Sequence, residues 1–249
     1  MTEALRELAA AFGLLTRLPL WRIPGWPTTP PRNLAHSVWA YPIAGAVIGA
    51  IGALTFALAN RLGLPPTLAA IWTVAAQILA TGALHEDGLA DTADGLGGGR
   101  TLARKLEIMR DSRIGSFGAL ALILSTAARI TALAAIADPA RVALVLVLAG
   151  SLARATIIVV LLTTRPARAD GLAAGLASLP ATPAAIGLAV PVILLVLLDR
   201  PHALLTTAIV VAIGFAASRL AKHHVGGFTG DVLGATALVT ECVEQAVLF

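Results

Sequence analysis

The chain has 249 residues, of which 57% are hydrophobic and only 13% charged. A mean hydropathy of +0.85 excludes an ordinary soluble domain and a disordered chain, and puts the sequence in the membrane class. A net charge of +4 invites a nucleic-acid reading, but the basic residues are placed for a lipid bilayer, so no nucleic acid is expected. The single cysteine, Cys242, excludes an internal disulfide and a cysteine-based metal site.

In chain order, residues 4–18 fit an amphipathic helix with Leu5, Leu8, Phe12 and Leu15 on one face, and no signal peptide is read there. Five prolines between Pro19 and Pro31 then break regular structure, so residues 1–35 form an interfacial lead-in. Apolar spans follow at 38–60 and 66–84, near the roughly 20 residues that a crossing helix needs. Gly45 and Gly49 make a small-xxx-small packing face, within the chain or between two copies of a homo-oligomer.

Residues 85–95, His-Glu-Asp-Gly-Leu-Ala-Asp-Thr-Ala-Asp-Gly, hold four carboxylates: Glu86, Asp87, Asp91 and Asp94. On a helix the three aspartates fall within an arc of about 60°, with Glu86 on its flank. Carboxylates so crowded repel one another unless a cation neutralises them, and hard oxygen ligands suit Mg²⁺ or Mn²⁺. A plain acidic loop has no need of one-face spacing. Prenyl-transferring membrane enzymes carry a similar aspartate-rich pattern and are a serious rival on spacing alone. Gly88 and Gly95 are expected to keep side chains off the site. Gly97-Gly98-Gly99 is expected to give a flexible turn with amides open to phosphate.

The next segment carries Arg100, Arg104, Lys105, Arg110 and Arg113. It reads as a lipid headgroup anchor or as a clamp on phosphate oxygens. Asp111 either joins the metal shell or orients Arg113. The segment 85–116 is thus the chemical part of a single membrane-embedded domain covering 1–249. Further spans are expected at 117–137, 141–163, 182–198, 203–220 and 231–249, the last weakened by Glu241 and Glu244. Arg129 and Arg154 fall inside spans, where an unpaired cation is costly. They either line an anion cavity or pair with Glu241 or Glu244. Two later loops follow: Thr164–Gly171, a basic cytoplasmic loop, and the more suggestive His223–Asp231, whose glycines permit a tight backbone near a ligand. There His224 reads as a nucleotide contact or a plain interfacial anchor, and Asp231 as a site residue or a helix cap.

The expected fold is an all-α polytopic bundle with about six to seven transmembrane helices and a cytoplasmic N-terminus. In that orientation thirteen Lys and Arg lie on the cytoplasmic side and three on the other. The acidic motif then faces the cytoplasm of a bacterial inner membrane.

Four segments resemble the cobalamin synthase family, the adenosylcobinamide-GDP ribazoletransferases. They are Leu15–Pro19, His85–Leu96, Ile108–Gly118 and Gly226–Ala235. The resemblance implies a Mg²⁺-dependent transfer of cobinamide phosphate from adenosylcobinamide-GDP to α-ribazole or its 5′-phosphate, releasing GMP. It implies corrinoid and nucleotide substrates, with neighbouring pathway enzymes as candidate partners. Mapped onto that chemistry, Glu86, Asp87, Asp91 and Asp94 hold metal, and Asp94 or Asp111 takes the hydroxyl proton. Arg110 and Arg113 stabilise the leaving phosphate, while Arg100, Arg154, His224 and Asp231 help bind substrate. A CDP-alcohol phosphotransferase, a prenyltransferase and a transporter are the alternatives, the last disfavoured by the lack of an internal repeat.

Overall fold

The computed structural model describes residues 2–168 and 175–248. The end of the basic loop expected at 164–171, from Ala169 on, lies outside the described residues. Within them every helix or strand long enough to name is a helix. Helix α1 covers Glu3–Leu15, and a 3-10 segment, Leu34–Ala40, leads into α2, Tyr41–Arg61. Then come α3 (Pro66–Thr81), α4 (Leu84–Gly98), α5 (Leu102–Ile108), α6 (Ser116–Ile136) and α7 (Pro139–Thr163). The chain closes with α8 (Ala181–Leu198), α9 (Ala203–Val225) and α10 (Gly230–Val247).

The protein is a polytopic helical bundle. Among the described residues five segments are long and apolar enough to cross a membrane: Leu34–Arg61, α6, α7, α8 and Arg200–Val225. A sixth exists if α3 and α4 count as one broken span. The count expected from sequence, six to seven, is therefore lowered at two places. Helix α10 is too polar to qualify, since Glu241, Glu244 and Gln245 are buried in it and it packs between α4 and α7. Helix α3 has 16 residues, about 24 Å, short of a hydrocarbon core of about 30 Å. After α3 the chain bends by 89° into α4. Gly82 and Ala83 make that corner, both with positive φ (65° and 59°). The Arg17 side chain lies over Gly82, and the Arg17 backbone N–H donates to the Ala80 carbonyl at 2.7 Å. The Leu15–Pro19 segment thus braces the corner that aims α4.

Helix α7 is the axis of the bundle. Its most apolar window is 89% buried, against 11–22% for α6, α8 and α9, whose remaining faces suit lipid. Helices α2 and α7 touch backbone to backbone. A Cβ on Gly45 would collide with the Gly150 carbonyl, and one on Gly49 with the Leu146 carbonyl. The small-xxx-small face is therefore spent inside the chain. At one end of α7, Arg141 pairs with Asp199 at 3.0 Å, and Asp199 also meets His202 at 2.8 Å. The other end of α7 meets the C-terminal part of α9, where Thr163 hydrogen-bonds Ser218, and α10 packs between α7 and the acidic helix α4.

Candidate active site

The acidic motif is helical, as its spacing requires, but its four carboxylates divide among three tasks. Glu86 turns inward. Its Oε1 accepts from Arg129 Nη1 at 3.0 Å, and Arg129 Nη2 also donates to Gln77 at 3.0 Å and Glu241 at 2.9 Å. Glu241 in turn accepts from Arg154 Nη1 at 2.8 Å. Arg129, Arg154 and Glu241 are each at most 3% exposed. Two arginines and two glutamates cancel within one cluster, so each intramembrane cation is compensated. Of the two readings for Arg154, pairing with Glu241 is the one the geometry supplies, whereas Glu244 has no partner among the described residues.

Asp94 is also committed. Its two oxygens accept from the backbone N–H of Gly115 at 2.7 Å and of Gly118 at 2.9 Å. It caps the exposed amides that open α6, where a carboxylate also meets the positive end of the helix dipole. A Cβ on Gly118 would collide with that carboxylate, which explains the small residues at this helix start. Asp111 is bound by Arg113: the carboxylate accepts from Nη2 at 2.6 Å and from Nε at 3.0 Å. The pair is exposed, and the guanidinium holds the Asp111 carboxyl well below its usual range, at about 2. Neither Asp94 nor Asp111 is left as an uncommitted base.

Asp87 and Asp91 remain, and accept no hydrogen bond or ion pair among the described residues. Asp231 joins them from α10. Asp91 lies within reach of the charges of Asp87, Asp231 and Asp94. Gly88 makes this approach possible, because a Cβ there would press on the Asp231 backbone and on Gly234. Thr229 caps α10, its Oγ1 accepting from Val232 N–H at 3.2 Å, so Asp231 is not needed as the cap.

The other glycines serve packing. Gly95 receives Met109, Gly97 receives Phe117, and Gly99 ends α4 against Lys105. The triple glycine is a helix end under close packing, in place of the flexible turn expected from sequence. Gly227 lies against the Arg165–Ala167 backbone, and Phe228 exchanges hydrogen bonds with Arg165 and Ala167 at 2.9 and 2.8 Å. This pairing brings Arg168 into electrostatic range of Asp231. Arg168 also donates to the Leu106 carbonyl at 2.7 Å, tying the loop to α5. Sequence reading missed Arg168 as a site residue; its one signal was its place in the basic loop Thr164–Gly171.

His224 meets Lys105 at 2.8 Å, which joins α9 to α5. Arg100 and Arg110 are exposed at the two ends of the α5 segment, on the same side of the molecule as Asp111–Arg113. A cavity of about 180 Å³ opens beside the carboxylates, between α1, α2, α4, α7 and α10. Asp87 and Asp231 line it, with Leu15, Ile157, Leu176 and Leu233 as apolar walls.

Among the described residues no three His, Cys, Asp or Glu side chains stand close enough to form a metal shell by themselves. The chemistry of the donor set nonetheless fits Mg²⁺. Asp87, Asp91 and Asp231 offer only hard oxygens, repel one another, and the first two lack any cationic partner. Mg²⁺ typically needs only one or two carboxylates, because waters and substrate phosphates fill the remaining positions.

An apolar bundle with carboxylates and arginines gathered at one end, beside a cavity, defines a polytopic membrane protein with a polar site at one end of its helices. Residues 7–249 match the profile of CobS, cobalamin-5-phosphate synthase, and the chain belongs to that family. It is 50% identical over 211 residues to an adenosylcobinamide-GDP ribazoletransferase of Bradyrhizobium diazoefficiens, covering 84% of this chain and 81% of the relative. Similar proteins of the same name from Mesorhizobium japonicum and Azorhizobium caulinodans are 40% and 43% identical, each over 96% of this chain and over 91% and 94% of their own length. No solved structure matches.

Proposed function

We propose that this enzyme of cobalamin synthesis transfers the cobinamide phosphate of adenosylcobinamide-GDP to α-ribazole or its 5′-phosphate, with release of GMP. The observation that carries the reading is the set Asp87, Asp91 and Asp231 at the junction of α4 and α10, the first two without a cationic partner among the described residues, in a chain of this family. Mg²⁺ held by these carboxylates would supply neutralisation of the pyrophosphate charge. The site would face the cytoplasm at the inner membrane.

A ribose hydroxyl of the acceptor attacks the phosphorus nearer the cobinamide. A new O–P bond forms, the P–O–P bridge breaks, and the bridging oxygen leaves on GMP. Phosphoryl transfer of this kind depends on alignment and charge neutralisation more than on covalent help. Asp87 is the exposed member of the trio and lines the cavity, so its carboxylate takes the hydroxyl proton. Arg168, next to Asp231, pairs with the charge that develops on the departing phosphate. Arg113, oriented by Asp111, and Arg110 and Arg100 lie further out, where they draw the nucleotide end of the substrate toward the site.

The test uses purified protein in detergent with Mg²⁺, adenosylcobinamide-GDP and α-ribazole, followed for GMP. GMP release that depends on both substrates and stops with EDTA is expected. Absence of GMP, or release without acceptor, would overturn the reading.

A further inference from the structure

We infer that the cavity between α1, α2, α4, α7 and α10 seats the bicyclic aromatic base of the acceptor nucleoside, with His85 donating to the one free ring nitrogen of that base. The inference rests on the reaction proposed above and specifies where its acceptor lies.

The lining selects against most of the other groups present in the reaction. Among the described residues no cation lines the cavity, while Asp87 and Asp231 do, so pyrophosphate stays at the mouth with the carboxylates. A volume of about 180 Å³ is far too small for a corrin macrocycle. It suits an aromatic ring system, since an apolar cavity on the order of 150 Å³ accepts benzene. The walls Leu14, Leu15, Ile157, Leu176 and Leu233 are aliphatic, and the polar lining apart from the two acids is Tyr41 and His85. Asp87 and Asp231 could accept from guanine N–H groups, but its acceptors O6 and N7 would face mainly aliphatic walls. The benzimidazole of α-ribazole carries a single free acceptor nitrogen.

His85 supplies the matching donor. It is 3% exposed, lines this cavity, and its Nδ1 has no hydrogen-bond partner among the described residues. The ring also borders the Arg129–Glu241 cluster, and Nδ1 is sealed from the cavity, so the nitrogen left to meet a ligand is Nε2. A neutral imidazole with its proton on Nε2 presents one N–H, the count that the base can accept. Placed base-inward, the nucleoside turns its ribose toward the rim, where Asp87 and the pyrophosphate meet.

Two variants that narrow the cavity test this, Ile157→Trp in the α7 wall and Leu176→Trp in the segment before α8. With either variant that folds, KM for α-ribazole should rise about tenfold while KM for adenosylcobinamide-GDP stays within about twofold. Equal effects on both substrates, or none on α-ribazole, would overturn the assignment. Calorimetric titration of α-ribazole into wild-type protein and into Leu176→Trp gives a readout separate from turnover. Saturable binding by the wild type that weakens about tenfold in the variant supports the cavity even if no GMP is released. Equal affinity in the two proteins, or no binding by either, overturns it whether or not the enzyme turns over.

Discussion

At the scale of single residues, identical carboxylates in one motif differ by what donates to them. Asp91 has no donor, so Asp91→Asn removes repulsion and leaves the fold intact, but it should lower GMP release by at least about a hundredfold. An unchanged thermal unfolding midpoint in detergent, alongside lost turnover, is the expected pair of results. Asp94→Ala should behave the other way round. It strips the cap from α6, at a cost of about 0.5–2 kcal/mol, and lowers the unfolding midpoint. Turnover of the folded fraction should then fall far less than in Asp91→Asn. Asp111 gives a pH prediction. Its folded pKa, about 2, is depressed, so its ion pair with Arg113 is complete above the unfolded value and is lost only as pH falls toward 2. Asp111 therefore cannot produce an acid limb between pH 5 and 7, and Asp111→Asn should leave that limb of the kcat/KM profile in place. A limb that disappears in this variant would return Asp111 to the role of base. Spacing alone could place Asp87, Asp91 and Asp94 on one face. It could not show that Gly115 and Gly118, more than twenty residues away, would consume one of them.

At the scale of elements, the site exists because α4 is held at one angle. The Gly82–Ala83 corner sets the bend, Glu86 anchors the start of α4 to Arg129 on α6, and Asp94 fastens its end to the opening of α6. Glu241 on α10 closes the same cluster by pairing with Arg129 and Arg154 together. Glu241→Gln leaves two buried guanidinium groups facing one glutamate. Loss of a buried partner of this kind costs about 3–5 kcal/mol, and the prediction is a large drop in unfolding midpoint. A midpoint within a degree or two of wild type would show that water or lipid phosphate compensates the arginines. The helices themselves were legible in the sequence, because apolar run length fixes a span wherever lipid is the solvent. The bend was not. Residues 66–84 read as one apolar segment, and only the left-handed backbone at Gly82 and Ala83 divides it from the acidic helix. Pairing across helices was half legible: a buried arginine must find an acid, but sequence offered Glu241 and Glu244 equally.

At the scale of the whole molecule, charge and chemistry segregate to the two ends of the bundle. The acidic trio, Arg168 and the α5 segment share the end where α7 and α9 finish. Arg61 ends α2, and Arg141 and Arg200 stand with Asp199 at the other end. From the positive-inside bias of thirteen against three over the sequence we propose an orientation in which the carboxylate end contacts the cytoplasm, where nucleotides and free Mg²⁺ are found. Cysteine labelling tests this in cells. Cys242 is partly buried with its Sγ near the Ser125 carbonyl, so Cys242→Ser is a mild background change. In that background Arg113→Cys and Arg200→Cys each place one thiol at an exposed position, at opposite ends of the bundle. A membrane-impermeant maleimide should label Arg113→Cys in inverted inner-membrane vesicles and spare it in intact spheroplasts. Arg200→Cys should give the converse pattern. Labelling of Arg113→Cys from outside would put the carboxylates on the face that lacks nucleotide, and the proposed reaction could not proceed there.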